Sequence, residues 1–274
     1  MKKIITQSLL YLALFIFVVI WVAPLVQMVL ASFMENSELR GSPWHLPANP
    51  NLNAFIDAWK VLKFDHYFKN SAIVTVFSTL FCLILSSLAA YGLSIKRVPG
   101  NKIIYPIMLA CMIVPAQILL VPLYQLLQDI HLISTYSGLI LIHTAWNMPF
   151  GIFILYNFFK DVPKEILDAA KTDGCSDMGI FWRIMMPLSK PSLATLAIFT
   201  STWVWNDFLF GLIFAQNDKI KPVTVGLMAT EGRYLTLFNL QSAAGLLALV
   251  IPLIIFILFQ RYFIKGLSAG ALKG

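Results

Sequence analysis

Charge is what this 274-residue chain has least of. Only 12% of its residues are Asp, Glu, Lys or Arg, against about 25% in soluble domains, while 59% are hydrophobic and the mean hydropathy is +0.78. That composition excludes an ordinary water-soluble globule and makes lipid the bulk solvent. Cysteine is nearly absent: Cys82, Cys111 and Cys175 are an odd number without paired spacing. They suggest neither a disulfide framework nor a zinc site, and small apolar packing residues are the plainer reading. The four histidines (45, 66, 131, 143) are scattered. There is no H-E-x-x-H, no G-x-S-x-G and no metal-ligand spacing, so no catalytic residue and no metal ligand is assigned. There is also no G-x-x-x-x-G-K-[ST] phosphate loop, so the chain does not itself hydrolyse ATP. The net charge of +7 is not a nucleic-acid signature, because the basic residues fall in loops beside apolar runs, where membrane topology accounts for them better. No internal repeat is visible, so nothing in the sequence supports an inverted-repeat carrier.

What the chain has in abundance is long apolar runs. A spanning helix needs about 20 mostly apolar residues. Six runs qualify: Leu9–Phe33, Ser71–Ile95, Ile103–Leu127, Tyr136–Phe159, Leu193–Gln216 and Leu235–Gln260. The predicted fold class is therefore all-α integral membrane, with six transmembrane helices in one domain over residues 1–274. The first run follows Met1-Lys2-Lys3 like a signal peptide, but it is too long and lacks a small-x-small cleavage site, so a retained helix is expected. With the N-terminus inside, the inner segments hold 13 of the 20 Lys and Arg, and both termini are expected in the cytoplasm. The first outer loop contains an amphipathic stretch, Leu52–Leu62, with Phe55, Ile56 and Trp59. It suits an interfacial helix, a docking surface or a plain folded cap.

One segment breaks the apolar pattern. Between runs four and five, residues 160–190 contain ten charged residues out of 31. A polar helix-turn-helix between two spans is placed to touch something in the aqueous phase. Asp161 is the expected cap of a helix with Pro163 in its first turn. That helix carries a small apolar face (Ile166, Leu167, Ala169, Ala170) and ends at Gly174, where a left-handed residue is needed. A second helical stretch follows through Phe181, Trp182, Ile184 and Met185, and Pro187 and Pro191 break it before run five.

The spacing Asp168-Ala169-Ala170, three residues, Gly174, nine residues, Ile184-Met185-Met186-Pro187 resembles the "EAA…G…I-x-L-P" loop. That loop marks the membrane permeases of binding-protein-dependent ABC importers. Pro163, Leu167, Asp173, Phe181 and Pro191 fit the carbohydrate-permease version, as does the end from Gln260-Arg261-Tyr262 to Gly270-Ala271-Leu272-Lys273-Gly274. The chain is similar to the shorter permease subunit of the maltose-transporter type. Asp168 departs from the usual Glu and Met186 from the usual Leu, and both keep charge or bulk. The resemblance implies a coupling helix that docks on a cytoplasmic ATPase, with Glu165, Asp168, Ala169, Ala170, Gly174, Ile184 and Pro187 as coupling residues. It implies alternating-access import of a sugar, oligosaccharide or polyol across a bacterial or archaeal cytoplasmic membrane. The implied partners are a second homologous permease, two ATPases that bind the ATP and Mg, and an extracytoplasmic solute-binding protein. No cofactor is expected in this chain.

The spans add a candidate path. Asp207 is the only charged residue in the six runs. It is expected about 20 Å along span five, in the outer half. It either lines the path or hinges it, or it reaches headgroup water. The neighbouring Asn206 shares its W-N-D-F run. His143, Trp146, Asn147 and Phe150 share one face of span four, where aromatic rings and hydrogen-bonding groups suit sugar rings; interfacial belts and helix–helix hydrogen bonds explain such residues as well. Pro106, Pro115 and Pro122 are expected to kink span three. Two alternatives share parts of this pattern: an ion-coupled secondary carrier, and an integral-membrane enzyme with a cytoplasmic docking helix. Both call for more intramembrane polar groups than one aspartate.

Overall fold

Backbone N–H and C=O groups in an apolar medium need partners within their own segment, and helices supply them. All regular structure among the described residues is helical. The structure is a computed structural model that describes residues 2–40, 44–60, 63–96, 98–230 and 237–271; the side chains of 2–5, 40, 229, 230 and 261–271 lie outside the described set. In chain order the helices are α1 (Lys2–Ser32), α2 (Asn53–Lys60), α3 (Phe64–Tyr91), α4 (Asn101–Cys111), α5 (Ala116–Asp129), α6 (Tyr136–Lys160), α7 (Lys164–Thr172), α8 (Asp177–Ile180), α9 (Met186–Leu188), α10 (Lys190–Asn206), α11 (Leu209–Phe214), α12 (Val223–Gly226) and α13 (Phe238–Ala271). Wide π-type turns extend α3 over Gly92–Lys96 and link α8 to α9 over Phe181–Met185. The second precedes Pro187, which has no N–H to return to the preceding turn.

Among the described residues, four helical stretches are long and apolar enough to cross a membrane: Thr6–Ser32, Phe64–Lys96, Tyr136–Lys160 and Phe238–Gln260. Runs three and five of the sequence are not single rods. Run three is α4 followed by α5, bent by 104°. The chain breaks ahead of Pro115, itself extended with ψ 132°; a proline disfavours helical backbone in the residue that precedes it. The expected kinks at Pro106 and Pro122 are not where this break falls; both prolines lie inside helices. Run five is α10 followed by the six-residue α11. Asp207, expected within a continuous helix, instead ends α10 with extended backbone (φ −66°, ψ 128°). In run six, residues 235 and 236 lie outside the described set, and the backbone of α13 stays helical through Ala271. The end motif from Arg261 onward likewise lies outside the described side chains.

The residues of the single expected domain group into two compact units. The first comprises residues 1–68 and 225–250. Here Asn51 N–H donates to Phe33 O and the Phe33 and Phe55 rings meet at 5.4 Å. Helix α2 exists as expected, but it buries Ala54 and Ala58, one turn apart, and leaves Ile56 and Trp59 exposed. Asn36 Oδ1 accepts from Phe238 N–H at the start of α13, and Asn239 Nδ2 donates to Met34 O.

The second unit comprises residues 69–224 and 251–274. It contains two dense apolar clusters. One gathers Ala90, Tyr91, Leu155, Phe159, Leu196 and the inward residues of the polar insert. The other gathers Val74, Leu127, Leu139, Ile142, Val204, Phe210, Phe214 and Ile220. Helices α6 and α10 each contribute to both clusters, Leu139/Ile142 and Leu155/Phe159 from α6, Val204 and Leu196 from α10. Serines of α3 fasten it to α6: Ser78 donates to Ile140 O and Ser86 to Met148 O. Gly151 permits the close approach, since a Cβ there would lie 2.4 Å from Ser86 Oγ.

Candidate functional site

Between the two clusters, at mid-height on α6, lies a cleft. Trp146, Asn147 and Phe150 of α6 form one wall, Trp203 of α10 another, and Cys111 and Met112 at the end of α4 a third, around ≈ 350 Å³. A narrower recess of ≈ 140 Å³ shares Trp146, Asn147 and Trp203 and adds Ala116, His143, Asp207, Leu209 and Phe210. Together they fall in the size range of small-molecule sites. Both broken spans border this space: α4 and α5 through Met112 and Ala116, α10 and α11 through Asp207 and Leu209. Non-helical backbone at membrane depth is tolerated where it is buried in protein or lines a watery cavity.

Aromatic rings dominate the walls. Phe150 and Trp203 have centroids 4.8 Å apart, Phe199 and Trp203 5.6 Å, and Trp146 meets Phe210 edge-on at 5.6 Å. The polar groups are few and already constrained. Asn147 Nδ2 donates to His143 O at 2.8 Å, and His143 packs edge-on to Phe210. His143 Nε2 lies 3.8 Å from Asp207 Oδ2, with the two side chains 5% and 19% exposed; the two face each other at a distance too long for a hydrogen bond. The Asp207 carboxylate accepts from Phe210 N–H at 3.0 Å and Gly211 N–H at 3.1 Å, so it caps α11. Its own carbonyl accepts from Thr224 Oγ1 at 2.5 Å. Beyond it, the fully buried Asn70 holds segment 215–224: Nδ2 donates to Lys219 O and Lys221 O, and Oδ1 accepts from Tyr136 Oη.

Four of the five expected path residues, His143, Trp146, Asn147 and Asp207, thus border one space. Asn206 is not among its walls; its side chain is exposed and its Nδ2 donates to Thr202 O. Phe150 lines the cleft from the helix face on which the sequence places it, whereas Trp203 opposite has no expected role. Their signal is present: Trp146/Phe150 and Phe199/Trp203 are aromatic pairs four residues apart, on one helix face each.

The second candidate site is the polar insert. The Asp161 backbone closes α6, with its N–H donated to Phe158 O, and Pro163 occupies the position immediately before α7. Leu167 and Ala170 face inward to the first cluster. Glu165, Ile166, Asp168 and Ala169 are exposed, so the apolar face expected on four residues is split. Gly174 has φ +78°. Its N–H donates to Lys171 O and the Cys175 N–H to Ala170 O, a paired closure of the helix end that requires the left-handed residue. Ile184 packs against the cluster from the π-type turn, and Pro187 is exposed in α9. Ile166, Met178, Trp182 and Leu188 leave large apolar side chains uncovered in this otherwise charged segment.

The sequence profile of the binding-protein-dependent transport system inner membrane component matches residues 82–269. The chain belongs to that family. Among its relatives, the probable ABC transporter permease protein YurM of Bacillus subtilis is 34% identical, over 100% of this chain and 91% of that protein. The melibiose/raffinose/stachyose import permease protein MelC of Bacillus subtilis is 36% identical over 85% of each chain. The fold is that of a solved chain from a bacterial ABC transporter that imports the acidic polysaccharide alginate, with a TM-score of 0.85, 21% identity and coverage of 96% and 98% of the two chains. The resemblance carried by the insert motif and the family assignment agree. This chain is a membrane permease, a transport subunit with several helices apolar enough to cross a bilayer.

Proposed function

We propose that this permease moves a sugar, oligosaccharide or polyol inward through the cleft between α4, α6 and α10, by alternating access powered by separate ATPases. One observation carries the reading: both interrupted spans, α4/α5 and α10/α11, open onto one aromatic-walled cleft midway between two packed clusters. Broken helices beside a central cavity are how transporters expose backbone groups to solute while giving each half-helix freedom to pivot. Trp146, Phe150 and Trp203 offer apolar faces to sugar C–H groups, and His143, Asn147 and Asp207 supply polar edges. Counting each broken pair as one crossing gives six, with both termini and the insert on the cytoplasmic side. The insert docks on one ATPase of a pair through Ile166, Ala169, Met178 and Trp182, with Glu165 and Asp168 flanking them, while Gly174, Ile184 and Pro187 set its shape. ATP and Mg bind in those subunits. A second homologous permease completes the pathway, and an extracytoplasmic solute-binding protein delivers the solute. ATP binding and hydrolysis then shift populations between states that differ in solute affinity.

The test is purification of the tagged chain in mild detergent with mass spectrometry of its partners. The expected result is an ATPase carrying a phosphate loop, lost when Ile166→Asp and Ala169→Arg are introduced together; both positions are exposed, so the fold is spared. An intact complex holding other partners but no such ATPase refutes the reading and favours an ion-coupled carrier.

A further inference from the structure

The insert is attached to the rest of its unit at a definite place, the end of α3. Tyr91, the last residue of α3, is buried. Its ring meets Phe181 at 5.2 Å and Phe159 edge-on at 6.3 Å. Its hydroxyl donates to the main-chain carbonyl of Asp177, the first residue of α8, at 3.1 Å. Beside it, the Lys96 ammonium of the π-type turn contacts the Asp177 carboxylate. The inward residues of α7, Leu167 and Ala170, enter the same cluster as Tyr91. One aromatic side chain on α3 therefore touches the end of α6 and the start of the insert's second helical stretch. About one and a half turns back along α3, Ser86 donates to Met148 O and lies against Gly151, in the stretch of α6 that carries Asn147 and Phe150 of the cleft wall. A shift of the insert that drags the end of α3 is thus delivered to the cleft wall.

We propose that Tyr91 is a positioning residue that transmits movement of the insert to α3 and, through Ser86, to the cleft, with the Lys96–Asp177 pair holding its register. The proposal rests on the insert being the ATPase-docking element. Tyr91 does not contact solute or ATPase; it makes hydrolysis productive. A packed side chain shared by two elements, plus one directional hydrogen bond, moves both together because close-packed interiors do not deform continuously.

The experiment uses the whole transporter, both permeases, the ATPases and the binding protein, in proteoliposomes, and reads solute taken up per ATP hydrolysed. Tyr91→Phe keeps the rings and removes only the hydrogen bond; Tyr91→Leu removes the ring contacts as well. The expected result is hydrolysis within about twofold of wild type, with uptake per ATP lowered about fivefold in Tyr91→Phe and further in Tyr91→Leu, the range of ordinary coupling energies. Lys96→Asp alone lowers the ratio, and Lys96→Asp with Asp177→Lys restores it, which a generic loss of stability does not do. Uptake and hydrolysis falling in proportion, or a ratio unchanged in Tyr91→Phe and in the charge reversal, overturns the proposal. If Tyr91→Leu fails to assemble, Tyr91→Phe and the reversal decide alone. Failure of the underlying reading looks different: the Ile166→Asp, Ala169→Arg complex then still holds its ATPases.

Discussion

The most decisive perturbation is at Asp207, because two explanations of that residue differ in a measurable way. Its carboxylate accepts two backbone N–H groups of α11, at 3.0 and 3.1 Å, and stands 3.8 Å from His143. If acceptor geometry holds α11 in place, Asp207→Asn retains it, since Asn and Asp rank equally as helix caps. Asp207→Ala leaves donors of a partly buried helix end without a partner, at a cost of about 1–2 kcal/mol. The purified complex should therefore unfold several degrees lower with alanine and within about 0.5 kcal/mol of wild type with asparagine. The assay is thermal unfolding followed by size-exclusion chromatography in detergent. Uptake separates the second explanation. The asparagine variant is stably folded but lacks the negative charge in the recess, so a fall in its uptake assigns the charge itself to the path. Asparagine as unstable as alanine refutes the capping argument, as does alanine as stable as wild type.

Three further outcomes follow from the same geometry. Gly151→Ala should lower thermal stability by about 1–3 kcal/mol, because the new methyl meets Ser86 Oγ at 2.4 Å and Leu196 Cδ2 at 3.0 Å, and Ser86→Gly in the same chain should recover most of it. At Gly174 a Cβ meets nothing within 4 Å, so steric displacement of the docking surface is not the penalty; the left-handed φ of +78° is. Gly174→Asn should keep the ATPase in pull-downs while Gly174→Val weakens its recovery, by a backbone term of about 1–2 kcal/mol. Asn70→Ala removes the two hydrogen bonds that fix segment 215–224, to Lys219 O and Lys221 O, together with the one from Tyr136 Oη, so limited proteolysis should cut within that segment faster, in line with about 1–3 kcal/mol for polar groups left unpaired.

Much of this architecture can be read from residue types alone. Apolar runs of spanning length and a polar insert with Gly and Pro at fixed intervals are one-dimensional signals, and Gly174 stands where the helix end needs it. Less legible is where a long apolar run stops being one helix. Three prolines mark run three, and only Pro115 breaks it; Pro106 and Pro122 remain inside helices. In run five nothing in Trp203-Val204-Trp205-Asn206-Asp207-Phe208 looks like a stop. The aspartate becomes one only because its carboxylate satisfies the next helix. Asp161 illustrates the same ambiguity: an acid two residues before a proline reads as the start of α7, and its backbone N–H also closes the end of α6. Local sequence names the candidates for a cap, and tertiary context selects among them.

The placement of the two breaks links fold to function. In water a helix can stop anywhere, since solvent satisfies its ends. In a bilayer each stop leaves amides and carbonyls that need protein or water beside them. At the second break this chain supplies Asp207 and Thr224 as partners and turns the remaining wall toward the cleft. At the first, Met112 and Ala116 flank the same space. A cleft that serves two helix interruptions is polar along its backbone and apolar along its aromatic walls. That combination is what the proposed path requires, polar edges for hydroxyls and apolar faces for a ring that must also leave. The interruptions are also the places where α4 can pivot against α5, and α10 against α11. Closing Pro115 into a continuous helix by Pro115→Leu with Val114→Ala should therefore leave the chain inserted and folded yet slow solute uptake, whereas unchanged uptake would place the moving parts elsewhere in the bundle.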